Sequence, residues 1–189
     1  METMLGFFLG IVASFIAWLL VAQVIKPHVV LSKTIEKGTA YVENSRSIYR
    51  VHVTNQNWFF KVFDVQLYGK IMIKGLNRND EKDIKSFSLI IGRGTTPYIN
   101  PYRGNPENIK AFVIKVPLSK SSQMGQLKKL YCRYHELKNV DYFGLSEVFD
   151  ISENLDITLE ISVITTHFFS GARNIVIQRY KKEDIIAKN

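Results

Sequence analysis

Four side chains suited to gripping an anion or an aromatic ring lie close together in one stretch. They are Arg93, Tyr98, Tyr102 and Arg103, within Gly92 to Asn108 (GRGTTPYINPYRGNPEN). A guanidinium presents paired donors to a phosphate or carboxylate, and a tyrosine offers a stacking face with a hydroxyl at its end. The stretch holds three prolines and three glycines, too many for a regular element, so it reads as a long surface loop of the kind that often carries function. A loop of simply packed tyrosines has the same composition. The ligand the four residues would take is anionic, and a nucleotide belongs to that class.

Catalytic signatures are missing. His28, His52, His135 and His167 are scattered, and none stands at metal-ligand spacing from Cys132 or from a neighbouring carboxylate. No G-x-S-x-G, H-E-x-x-H or phosphate-cradling glycine loop occurs, and Gly92-Arg93-Gly94 is a fragment of one at most. The expectation is a protein that is not an enzyme and uses no cofactor and no metal. The lone Cys132 leaves no intrachain disulfide.

The chain has 189 residues and a formal net charge of +8. That length, less an N-terminal segment, is one ordinary domain with a core of its own. The apolar run Met4 to Ile25 (MLGFFLGIVASFIAWLLVAQVI) contains no ionisable side chain. At about 1.5 Å per residue it predicts roughly 33 Å of helix, against about 30 Å of hydrocarbon core. It therefore reads as a membrane anchor, since the charged leader of a signal peptide is missing. Lys26, Lys33 and Lys37 follow it, which predicts a single-pass inner-membrane protein with its N-terminus outside and its C-terminal domain cytoplasmic. On that reading the three lysines contact lipid headgroups, and the excess charge serves membrane lipid and not nucleic acid. Gly6, Gly10, Ala13 and Ala17 share one helix face, where small side chains allow helices to pack closely, so a homo-oligomer is expected.

Beyond the helix, Lys26-Pro27 stops helical continuation. The expected division is 1–26 transmembrane helix, 27–47 juxtamembrane linker and 48–189 β domain. Tyr49, Val51 and Val53 alternate with polar partners, as do Val65 and Leu67, then Ile71 and Ile73. Gly69 interrupts that ladder and reads as a bulge. Leu155 to Ile164 gives the cleanest alternation, with Arg173 to Tyr180 its hairpin partner across a turn at 168–172. Ser119 to Asn139 places Leu127, Leu130, Tyr131, Tyr134 and Leu137 at helical spacing, which predicts one short basic amphipathic helix. It suits a membrane surface or packing against its own domain. About seven strands and one helix predict an all-β domain, either an antiparallel immunoglobulin-like sandwich or a small barrel.

Three places carry a resemblance. Tyr49-Arg50-Val51-His52-Val53-Thr54-Asn55 followed by Phe63-Asp64-Val65-Gln66-Leu67 forms the first, and Pro97 after Ser88 to Ile91 the second. The third is Leu159 to Ile164, Gly171-Ala172-Arg173 and Tyr180 with Asp184-Ile185. Together they resemble the cytoplasmic immunoglobulin-like domain of inward-rectifier potassium channels. The chain has no pore helix and no Gly-Tyr-Gly filter, so the resemblance implies a sandwich that assembles around an axis and responds to anionic ligands, not a channel. Arg179 replaces that family's Ser, Asp184 replaces its Glu, and the following Trp is absent. In architecture the chain also resembles short membrane effectors of nucleotide-signalled antiviral defence, with no residue motif in common. The expected function is a ligand- or partner-sensing β domain on a self-associating helix, a membrane-disrupting effector at its sharpest. The alternative is a membrane-anchored scaffold that binds another protein.

Overall fold

The computed structural model describes residues 2–25, 28–39, 47–76, 84–115, 122–137, 144–167 and 171–187. Helix α1 (Glu2–Ile25) comes first, followed by the short strands β1 (Val29–Leu31) and β2 (Ile35–Thr39). Then come β3 (Ser47–Asn55), β4 (Val62–Lys74), β5 (Ile84–Gly92), β6 (Thr95–Ile99) and β7 (Lys110–Lys115). Helices α2 (Ser122–Tyr134) and α3 (Leu145–Phe149) separate these from β8 (Asp156–His167), β9 (Arg173–Tyr180) and β10 (Ile185–Ala187).

The strand order is β10-β2-β3-β7-β5-β4-β8-β9, with β1 also on β3 and β6 also on β4. One strand joins two open sheets. The first part of β5 pairs with β4, from Ile84 opposite Lys74 to Leu89 opposite Gly69. Its last residues pair instead with β7, from Ile90 opposite Lys115 to Gly92 opposite Val113. The result is a sandwich-like fold with open ends, not the closed barrel offered as an alternative. Its core follows the alternation: Tyr49, Val51 and Val53 from β3 meet Leu67, Ile71 and Ile73 from β4 and Leu159, Ile161 and Val163 from β8. Burial of such side chains is worth about 1.5–3 kcal/mol each, which is why period-two patterning sets the register.

Several expectations are corrected. Among the described residues no helix is long and apolar enough to cross a membrane, which overturns the transmembrane segment and the single-pass inner-membrane placement. Within residues 27–47, β1 lies against β3 with Val29 opposite Asn55, and β2 does so with Lys37 opposite Tyr49. Most of the expected 168–172 turn lies outside the described residues. The sheet is not purely antiparallel either, since β10 pairs with β2 in parallel.

The bulge also moves. Gly69 sits in regular register between Leu89 and Ile161, and a Cβ there would come within 3.3 Å of the Leu89 Cβ, so close packing explains the glycine. The irregularity is at Asp64, with φ of 46°, where the β4–β8 register shifts between Phe63 and Gln66. On α2, Leu127 is fully buried and Leu130 and Tyr131 pack against the core. That helix covers its own domain.

Candidate ligand and assembly surfaces

The four proposed ligand residues are separated by a strand that composition concealed. Residues 95–99 form β6, anchored on β4 with Phe63 opposite Tyr98 and Gln66 opposite Thr95. Arg93 lies in the turn before β6 with φ of 48°, and Arg103 lies beyond its end with φ of 44°. A five-residue strand at ~3.3 Å per residue sets about 17 Å of extended chain between the two arginines. They do not form one cradle. Pro97 is tolerated because β6 pairs with β4 alone, leaving its other edge free of ladder bonds. Gly94 is required, since a Cβ would stand 3.1 Å from the carbonyl oxygens of both Ile91 and Leu67.

Tyr98, Tyr102 and Arg103 instead help to build a different feature, the tip at Asn55–Lys61. Asn55 is completely buried. Its amide donates to the carbonyls of Phe60 (2.9 Å) and Ile99 (3.2 Å), and its Oδ1 accepts from the Asn57 N–H (3.0 Å). The Asn57 Oδ1 accepts in turn from the N–H groups of Phe59 and Phe60, at 3.0 and 3.1 Å. Side-chain amides thus satisfy backbone groups that no ladder reaches, and they hold the turn in one conformation. Trp58 and Phe59 are each 65% exposed on this framework. Arg103 Nε donates to the Trp58 carbonyl at 2.8 Å, and the Tyr102 N–H donates to the Asn55 carbonyl at 2.9 Å. Lys61 Nζ lies 4.8 Å from the centre of the Tyr98 ring. Beneath the turn, Phe60 meets the buried His167 edge-on at 5.5 Å. Burial holds the His167 imidazole below its ordinary pKa.

Strand alternation singles out neither the Asn55–Asn57 turn nor Trp58-Phe59. The available signal was three consecutive aromatics, Trp58-Phe59-Phe60, directly after an Asn-x-Asn turn, where strand alternation does not call for them.

A cleft of about 690 Å³ lies between the end of α2, the segment after α3 and the 3-10 turn Lys182–Asp184. Its rim carries Asp150, Glu153, Asp156 and Glu183 against Lys181 and Lys182, a balance that disfavours an anion. Lys182 already donates to Asp150, whose carboxylate raises the ammonium above its ordinary pKa. His135 places Nε2 2.6 Å from the Asp150 carbonyl and its ring 4.4 Å from that of Tyr131, so it closes the cleft wall. No group of three His, Cys, Asp or Glu able to hold a metal occurs among the described residues.

Of the lysines expected at lipid, Lys26 lies outside the described residues. Lys33 is exposed, and Lys37 is half-buried and donates to Ser146 Oγ at 3.3 Å. The small-residue positions Gly6, Gly10, Ala13 and Ala17 are all exposed. A Cβ built on Gly6 or Gly10 meets nothing within 4 Å. Large apolar side chains surround them, from Leu19 at 41% to Met4 at 72% exposure. At the end of the strand order, β9 carries Ile175 and Ile177 exposed at 59% and 55%. No family model and no curated protein matches this chain.

Proposed function

We propose that this chain is a non-catalytic assembly protein, in which α1 packs against α1 of other copies and the sandwich-like domain is the module thereby gathered. The observation that carries this reading is the exposure of α1. From Met4 to Leu19 every described side chain is open to solvent, and the apolar ones lie on all sides of the helix. A helix apolar all round needs cover on all sides, and the domain supplies none to it. Other copies of the same helix provide that cover, with Gly6, Gly10, Ala13 and Ala17 as the closest line of approach. A shallow notch lined by Phe7, Gly10, Ile11, Ser14 and Phe15 gives that line a receiving surface. The resemblance to a domain that assembles around an axis points the same way.

The test is chemical cross-linking of the full chain against a Gly6→Leu, Gly10→Leu variant. Oligomers that fall away in the variant support the reading, and an unchanged ladder overturns this use of the stripe. A second reading, a scaffold that binds a protein strand, is favoured by β9. Its outer edge ends the strand order, and Ile175 and Ile177 stand exposed beside it, the arrangement that strand addition uses. Ile175→Lys with Ile177→Lys would release a protein partner held there and leave α1 oligomers intact.

A further inference from the structure

We infer that the Trp58–Phe59 tip is a docking site for an anionic phospholipid surface. The inference goes beyond the assembly reading and does not depend on it. Two adjacent large aromatics, each 65% exposed, sit on a turn that two asparagines fix through five hydrogen bonds. A turn built so firmly has its aromatics presented rather than merely left outside. The flanking cations are Lys61 over the Tyr98 ring and Arg103 on the Trp58 carbonyl, with Lys110 exposed at the same strand end, opposite Val53. The carboxylates of these segments are Asp64, engaged by the Gln66 amide at 2.8 Å, and Glu107 in the 3-10 turn Pro106–Asn108.

Tryptophan, tyrosine and basic side chains together match the boundary between headgroups and acyl chains, where rings sit among glycerol groups and cations meet phosphate. A symmetric contact between two copies through this tip would instead bring two such basic clusters together. Location adds a second argument. The Gln56 N–H donates to the His28 carbonyl at 2.7 Å, so the chain leaving α1 joins the domain at the tip itself. Only Lys26 and Pro27 stand between the end of α1 and His28. The two apolar features of the protein therefore share one end.

The chain has two tryptophans, so Trp18→Phe leaves Trp58 as the sole indole. The full-length Trp18→Phe protein is mixed with vesicles of phosphatidylcholine alone or with about a third phosphatidylserine, with and without brominated acyl chains. Trp58 emission is expected to shift to the blue and to be quenched by bromine in the anionic vesicles only. Lys61→Gln with Arg103→Gln should lower the partition coefficient about fivefold per charge at low salt. Trp58→Ala with Phe59→Ala should lower it further while keeping the wild-type melting curve. Unquenched Trp58 overturns the inference even if the protein floats with the vesicles, because α1 alone would then be responsible. So does partitioning of the Trp58→Ala, Phe59→Ala protein within twofold of wild type. Quenching is read on a chain with its tip intact, so it decides the matter if the double variant does not fold. Self-association of α1 is read without lipid and fails or succeeds separately.

Discussion

Replacing Asn55 with alanine tests how the tip is held. The side chain is fully buried and makes three hydrogen bonds, two as donor to Phe60 and Ile99 carbonyls and one as acceptor from Asn57. Each neutral bond contributes about 1 kcal/mol net, and its buried partners lose solvation without compensation, so Asn55→Ala should cost about 3 kcal/mol. For a domain of this size that is a fall in Tm of roughly 6–12 °C. Asn55→Asp keeps the acceptor toward Asn57 but turns a second oxygen on two carbonyls, and it buries a charge besides. It should therefore destabilise more than alanine at neutral pH, and acid should narrow the difference by protonating the introduced carboxylate. Thermal melts followed by circular dichroism, with Trp58 emission recorded in the Trp18→Phe background, give both stability and tip order. A loss under about 1 kcal/mol for Asn55→Ala, with Asn55→Asp no worse, would refute the claim that this network fixes the turn.

Other outcomes follow from the same structure. Glu160, buried at the centre of three strands, faces Lys70 Nζ at 2.8 Å and Arg179 Nε at 3.0 Å, and its hydrogen bond from Lys70 is the main cause holding its carboxyl below the ordinary pKa. A depressed carboxylate stabilises above its unfolded pKa, and that contribution is lost as pH falls through the folded value. Both cations are largely exposed, so Glu160→Gln should cost only about 1 kcal/mol at pH 7, and melts should show the gap closing as the medium is made acid enough to protonate the carboxylate. His167 is the reverse kind of group, kept neutral by burial, so the unfolded chain takes up its proton first and stability falls as pH drops below about 6.5. His167→Gln should flatten the slope of Tm between about pH 7.5 and 5.5, which differential scanning calorimetry would read. Gly94→Ala should cost about 1–3 kcal/mol in a denaturant titration, because its Cβ meets two carbonyl oxygens at 3.1 Å that belong to paired strands.

What the sequence disclosed was the part governed by period-two burial. Tyr49, Val51 and Val53, then Ile71 and Ile73, then Leu159, Ile161 and Val163, face the core as alternation requires. Where long-range pairing decides, local reading failed. Ile35–Thr39 is a strand because β3 offers it an edge, and Thr95–Ile99 is a strand because β4 does, despite Pro97. The same β6 parts Arg93 from Arg103, so the predicted grouping of ligand residues dissolved once the pairing was known. The tip was hidden for another reason: its order comes from Asn55 and Asn57 bonding across the turn, which composition cannot distinguish from an ordinary Asn-rich loop. Length misled at the N-terminus, where an apolar run was taken for a membrane span.

The most direct measurement of the assembly claim places single cysteines on α1. In a Cys132→Ser background, Ala13→Cys lies on the small-residue face and Phe15→Cys about 200° around the helix from it. Disulfides form only where two Cα atoms come within about 7 Å. The account predicts rapid oxidation to a covalent dimer for Ala13→Cys and little for Phe15→Cys. Equal yields at the two positions, or none at either, would contradict it.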